Sequence, residues 1–183
     1  MIRLCSASES RAKLLRRFGI DFIQSPVTFD EEVLDFSDAR KFVYHASKGK
    51  LEAAIVEYGL EVPLLAADTV IAASDGQILR KARSREEAER ILRMQSGSEI
   101  AIVSCVHLKS KRRYFLDLSA THYRFAPFDE EDLRRYLESG EWQGKAGACM
   151  VEGFCKPYIR EVRGFESTAM GLQVEKLLPW IEE

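Results

Sequence analysis

Asp68 and Thr69 interrupt an apolar run, Leu64-Leu65-Ala66-Ala67-Asp68-Thr69-Val70-Ile71. Such a run is expected to form a buried strand. An ionised carboxylate there is costly unless a cation, a metal or several donors offset it. Asp68 is therefore either a satisfied structural acid or a working one. A second stretch, Ser6-Ala7-Ser8-Glu9-Ser10-Arg11, follows a short strand and opens a helix. A helix N-terminus presents free N–H groups and the positive end of a dipole, which favours anions. Ser6, Ser8 and Arg11 there make a phosphate cradle; the plainer alternative is capping by Ser8 with Arg11 in solvent. The loop acids Asp30, Glu31 and Glu32 are either solvated or complete an oxygen site with Asp68, suited to magnesium rather than to a softer ion. Lys48, Lys50 and Lys81 are candidate phosphate contacts, with an exposed surface lysine as the plain alternative. The segment from Gly140 to Gly153 holds Lys145 and Glu152 among four glycines, which permit close backbone approach to a ligand. It is not a Walker A loop, since Ala146 follows Gly144-Lys145 and the spacing to the preceding glycine is wrong.

Elements must bring these groups together. Met1 to Cys5 and Asp21 to Gln24 are expected as short strands, with a helix between them capped by Ser8 and closed by Gly19. Residues 28–38 are acidic and irregular. A helix is expected from Ser37 to Tyr58, ended by Gly59. The Asp68 strand runs from Leu64 to Ala73. Ser74-Asp75-Gly76-Gln77 turns it back through Ile78 and Leu79, which places Lys81 near the level of Asp68. Ser84-Arg85-Glu86-Glu87 is a capping box for a helix ending near Gly97. Glu99 to Lys109 and Arg113 to Phe125 form a hairpin. Asp129 caps a helix that stops at Gly140, a strand covers Tyr158 to Val162, and a last helix covers Gly171 to Trp180, interrupted near Pro179. Strands alternate with helices and one hairpin is antiparallel, so the class is α/β with a mixed sheet.

Composition narrows the field. With 183 residues, 46% hydrophobic and 31% charged, the chain can bury a core without metal or disulfide support. Its net charge of −2 argues against a nonspecific binder of nucleic-acid polymers. No apolar run approaches the roughly 20 residues of a membrane span. The four cysteines (Cys5, Cys105, Cys149, Cys155) form no C-x-x-C pair, and no signal peptide is visible, so reduced thiols in a cytoplasmic setting are expected.

Taken together, these stretches resemble the Maf family of nucleoside triphosphate pyrophosphatases. The family's Ser-x-Ser-Pro-Arg-Arg-x-x-Leu-Leu appears as Ser6 to Leu15, with Ser10 in place of the first arginine. Its Asp-Glu appears as Asp30-Glu31, and its Ala-Asp-Thr-Val-Val as Ala67 to Ile71. Its Gly-Lys-Pro appears as Arg80-Lys81-Ala82, and its Ser-Gly-Glu-Pro-x-Asp-Lys-Ala-Gly as Ser139 to Gly147. A family glutamine becomes Glu152, a histidine becomes Ile100, and the closing motif appears as Gly164 to Gln173. The family's helix lysine aligns with Lys50 or, less well, Lys48.

The resemblance implies a single domain over 1–183, built as a mixed central sheet flanked by helices in two lobes around a cleft, like inosine triphosphate pyrophosphatase. It implies hydrolysis of a nucleoside triphosphate to the monophosphate and pyrophosphate, in a role such as clearing non-standard nucleotides. Asp68, Lys81 and Glu31 would be catalytic, with Asp68 and Glu31 holding a divalent cation, magnesium for preference. Ser6, Ser8, Arg11, Lys50, Thr69, Lys145 and Glu152 would contact substrate. A homodimer is the implied assembly. Two alternatives stand beside this: a nucleotide-binding regulator of cell division weakened in catalysis, and a phosphatase acting on the terminal phosphate.

Overall fold

A computed structural model describes residues 1–181. Its elements, in chain order, are β1 (Ile2–Leu4), α1 (Glu9–Arg17), β2 (Phe22–Gln24), α2 (Ala39–Tyr58), β3 (Leu64–Ala73), β4 (Ile78–Leu79), α3 (Arg85–Gln95), β5 (Glu99–Lys109), β6 (Tyr114–Phe125), α4 (Glu130–Ser139), β7 (Ile159–Arg163), α5 (Glu166–Ala169) and α6 (Val174–Ile181). Short 3-10 turns at Glu31–Val33 and Lys156–Tyr158 fall between them.

The strands form one seven-stranded sheet in the order β2-β1-β3-β5-β6-β7, with β4 also paired to β3. β1 runs parallel to β2 and β3, and the other pairings are antiparallel. The sheet is thus mixed, as expected. Side chains alternate across β3. Leu64, Ala66 and Val70 pack on the side of α2, with Phe42, Val43, Ala46, Leu51 and Ala54. Leu65 and Ala67 pack on the opposite face, against Leu14 and Leu15 of α1 and Leu177 of α6. Ile71 joins a third cluster with α3 and α4. Asp68 therefore faces α2, and Thr69 faces α1.

One gap in the sheet positions the site. β1 pairs with β3 only at Leu64 and Leu65, while β4 pairs with it only at Ile71 and Ala72. Since β5 occupies the other edge of β3 over its full length, the edge between these short partners is left without a neighbouring strand. Asp68, which is buried, and Thr69, which is half-buried, lie in that gap.

The caps follow local chemistry. Ser8, Asp38, Ser84 and Asp129 each accept a backbone N–H at the start of α1, α2, α3 and α4. Gly140 ends α4 in the left-handed region at φ 73°, where a Cβ is unfavourable. The C-terminus departs from expectation. Residues 166–181 form two helices, and α6 begins at Val174 rather than Gly171. Pro179 lies inside α6 without ending it; it is the sixth residue of an eight-residue helix, and the Glu175 carbonyl its ring crowds lies in the first turn. The segment 28–38, expected to be irregular, contains one 3-10 turn capped by Asp30.

Candidate active site

Lys50 sits between the two acids, 2.5 Å from Asp68 Oδ1 and 2.6 Å from Glu31 Oε1. The second Glu31 oxygen, Oε2, accepts from Arg80 Nη2 at 2.9 Å, and the Arg80 guanidinium stacks over the Phe42 ring. Glu32 lies further out, bonded to Arg80 and Arg83. Asp68 is only 6% exposed, and its Oδ2 is buried with no hydrogen-bond partner. Burial pushes the Asp68 carboxyl above its ordinary value and Glu31 adds to the push, while Lys50 and Arg11 oppose it. Glu31 is less buried, and the Lys50 and Arg80 cations hold it below the usual carboxylate range despite desolvation. The two acids thus differ in basicity although one ammonium bridges them.

Lys50 owes its position to α2. Ser47, one turn earlier, is pinned to the sheet by His107 of β5, at 2.9 Å between Nε2 and Oγ. Ser47 donates its own proton to Val43 O, so His107 must be the donor from Nε2, and Nδ1 accepts from Tyr114 Oη at 2.7 Å. Burial pushes the imidazole down to about 4, which keeps it neutral near pH 7. Gly49 precedes Lys50 and lies beneath Phe29, whose ring a Cβ would meet at 2.2 Å. This contact brings the 28–38 segment, and with it Glu31, down onto α2. Lys48 points away and pairs loosely with Glu52 at 3.8 Å, so Lys50 is the lysine the fold delivers to the acids.

Arg11 approaches from the other face and is 8% exposed. Its Nε donates to Gly171 O at 2.9 Å, Nη1 to Ser6 Oγ at 2.9 Å and Nη2 to Thr69 Oγ1 at 3.2 Å. A guanidinium has five N–H donors, so one remains on each terminal nitrogen. Burial lowers the Arg11 pKa, with Asp68 and Glu31 countering; an arginine in this setting stays charged. Ser8 caps α1 by accepting from Arg11 N at 3.4 Å, as the plainer alternative had it, but Arg11 is not solvated.

Lys81 follows β4 and makes no ion pair or side-chain hydrogen bond among the described residues. Its backbone bridges to Ala146, and Gly147 N donates to Arg80 O at 3.0 Å, which ties the glycine-rich segment to the strand end. The walls of the cleft desolvate its ammonium and Arg11 and Lys50 repel it, so its pKa is lowered. Lys145 reaches Ser10 Oγ at 3.3 Å and Glu152 Oε1 at 3.5 Å.

These groups line neighbouring depressions. A cleft of about 580 Å³ is bounded by Ser6, Ser8, Arg11, Glu31, Lys50, Lys81 and Lys145, among others. Adjoining hollows bring in Asp68, Thr69 and Glu152. The main volume falls in the range of small-molecule sites. Four cations (Arg11, Lys50, Lys81, Lys145) face it, so it suits a polyanion.

The sequence alone does not single out Arg80, Phe29 or Gly171, which touch the site residues, or Ser104, which is buried behind them. Ser104 alone carries a signal, a hydroxyl inside the apolar run Ile102-Val103-Ser104-Cys105-Val106. The logic that applies to Asp68 applies to it as well. Arg80 enters only as a departure from a family glycine, and Phe29 and Gly171 act through packing that no spacing reveals.

The fold and the site define an α/β protein with a mixed sheet, broken beside one strand, where cations gather around two acids. Over residues 1–183 the chain matches the family described as Maf-like protein. It is 62% identical over 179 residues to the nucleoside triphosphate pyrophosphatase of a Nitratiruptor species, covering 97% of this chain and 96% of that one. The nucleoside triphosphate pyrophosphatase of Helicobacter pylori (strain Shi470) is 42% identical over 175 residues, covering 96% and 92%. That of Campylobacter jejuni subsp. jejuni is 34% identical over 185 residues, covering 99% and 100%. The chain belongs to the Maf-like family.

Proposed function

We propose that this chain hydrolyses nucleoside triphosphates to the nucleoside monophosphate and pyrophosphate, with Asp68 at the reacting end of the cleft. The observation that carries this reading is the buried, unpartnered Oδ2 of Asp68 beside a row of cations. An acid paired with Lys50, with one oxygen left without a partner, suits the task of orienting or deprotonating a water molecule. Its raised pKa makes it a stronger base than a solvated aspartate.

A divalent cation fits these residues. Among the described residues no group of three or more His, Cys, Asp or Glu side chains gathers. Asp68 Oδ2 and Glu31 would instead hold the ion together with phosphate oxygens and water, the pattern magnesium favours. Bound there, the ion would supply charge to the phosphoryl oxygens and acidify a ligated water. The chain's own groups do the rest. The two remaining N–H groups of Arg11 grip phosphate oxygens as a fork. Ser6 and Ser8 hold the cradle around it. Lys50 holds Asp68 in place and offers its charge to the phosphates. Lys81, with no protein partner among the described residues, takes the charge that develops on departing pyrophosphate. Lys145 and Glu152 lie beyond Arg11 and contact the nucleotide. We infer a single domain acting in the cytoplasm, and a homodimer by resemblance, an assembly that sedimentation would read.

A panel of triphosphates incubated with magnesium tests the activity. The expected products are pyrophosphate and the monophosphate. Orthophosphate as first product would place the reaction at the terminal phosphate, and binding without turnover across the panel would make the chain a regulator.

Gly171 supplies a second check. It has φ +101°, and a Cβ there would stand 3.1 Å from both Arg11 Nε and Thr69 Oγ1. Gly171→Ala combines backbone strain of about 1–3 kcal/mol with displacement of Arg11. The expected result is a lower melting temperature together with a raised KM for triphosphate. An unchanged KM in the folded variant would remove Arg11 from the phosphate cradle.

A further inference from the structure

Behind Arg11 lies a chain of hydroxyls whose proton directions are fixed. Ser104 Oγ donates to Thr168 O at 2.8 Å, and the same Oγ is 2.8 Å from Thr69 Oγ1. A serine hydroxyl has one proton. With that proton committed to Thr168, Ser104 can only accept from Thr69. Thr69 then has no proton left for other acceptors and presents its lone pairs to Arg11 Nη2, 3.2 Å away. The order is Arg11 to Thr69 to Ser104 to the Thr168 carbonyl, every link running the same way.

The fold secures both ends. Thr69 and Ser104 are direct partners across β3 and β5, and Ser104 is fully buried. Gln173 Nε2 donates to Ser104 O at 2.7 Å, and Gly171, between Thr168 and Gln173, accepts from Arg11 Nε. The turn from 168 to 173 therefore holds the far end of the chain and one edge of the guanidinium at once.

We propose that Ser104, which lies outside the cleft, is a positioning residue for substrate binding: it forces Thr69 to act as an acceptor and so aims the free N–H pair of Arg11 at the phosphates. Without an acceptor at 104, the Thr69 hydroxyl proton must turn elsewhere. In some rotamers it points at Arg11, so a donor faces a donor and the guanidinium loses one of its three anchors. The inference rests on Arg11 being the phosphate fork proposed above.

The test uses Ser104→Ala, Thr69→Val, the double variant and Ser104→Thr. Steady-state pyrophosphate release is measured with the best triphosphate of the panel, binding of inorganic tripolyphosphate is measured by calorimetry, and the melting temperature of each variant is recorded. Ser104→Ala is expected to raise KM and weaken tripolyphosphate binding by about tenfold, the loss of one hydrogen bond to a charged group, with kcat nearly unchanged. Adding it to Thr69→Val should change neither quantity further, because Ser104 acts through Thr69. Ser104→Thr keeps the hydroxyl on a strand-favoured side chain and should restore binding. Equal losses from Ser104→Ala in both backgrounds, or a lowered melting temperature with KM and tripolyphosphate affinity unchanged, would overturn the proposal while leaving the functional reading intact. A wild-type chain that neither turns over triphosphates nor binds tripolyphosphate would overturn both.

Discussion

Asp68→Asn is expected to lower kcat for pyrophosphate release by about 10²–10⁴-fold, the usual contribution of a positioned base, with the fold retained. Asparagine preserves the volume of the side chain and can still accept from Lys50, so the strand and its packing need not change. It loses the charge that burial makes costly and that Lys50 is placed to balance. The two explanations of a buried acid separate here. A structural acid paired with a lysine would show its loss in stability, with turnover following only the fraction folded. A working acid would show a large kcat defect in protein with a near-normal melting curve. Turnover close to wild type would remove Asp68 from the mechanism.

Lys50→Met should act in both ways at once. Lys50 bridges Asp68 and Glu31 within 2.6 Å, and its side chain is 13% exposed. Removing it leaves Asp68 without its cation in a buried setting, a loss of about 3–5 kcal/mol for a broken buried pair. The direction of the pH effect follows from the same contact. Lys50 is the largest influence holding the Asp68 pKa down against burial. Without it that pKa rises further. Because the ionised form is the working base, the acidic limb of the kcat profile should move to higher pH. A folded-state pKa raised further above the unfolded value also means that ionising Asp68 costs the folded state more stability as pH rises than it does in the wild-type chain. A stability loss with an unmoved pH profile would mean that Lys50 braces the fold but does not tune the acid.

Much of this site is foreseeable because the decisive residues sit in the wrong kind of neighbourhood. An acid inside Leu64 to Ile71 demands compensation on its sequence context alone, and the Asp75-Gly76 turn puts Lys81 on the returning chain. The sheet is also legible, since alternating apolar patterns and turn residues mark most of its strands. What stays hidden depends on contacts distant in sequence. Arg11 meets Gly171 across 160 positions. Glu31 is held by Lys50, by Arg80 and by the seating of Phe29 on Gly49, none of which has a local pattern. The gap beside β3 arises from the shortness of β1 and β4, and the pairing of two short strands with one edge is a property of topology rather than of spacing. The start of α6 is misplaced in the sequence reading because Gly171 resembles a helix boundary, whereas its positive φ serves the turn that holds Arg11.

The proposed reaction depends on a carboxylate that works with a divalent ion and a polyphosphate, and calorimetry can read that partnership without turnover. A triphosphate analogue with a methylene bridge between the α and β phosphorus atoms would be titrated into the wild-type chain and into Asp68→Asn, each with and without magnesium. We predict that magnesium tightens binding to the wild-type chain by at least about tenfold, or 1.4 kcal/mol, and that most of this gain is absent in Asp68→Asn. An affinity that ignores magnesium in the wild-type chain, or that responds equally in both proteins, would contradict it.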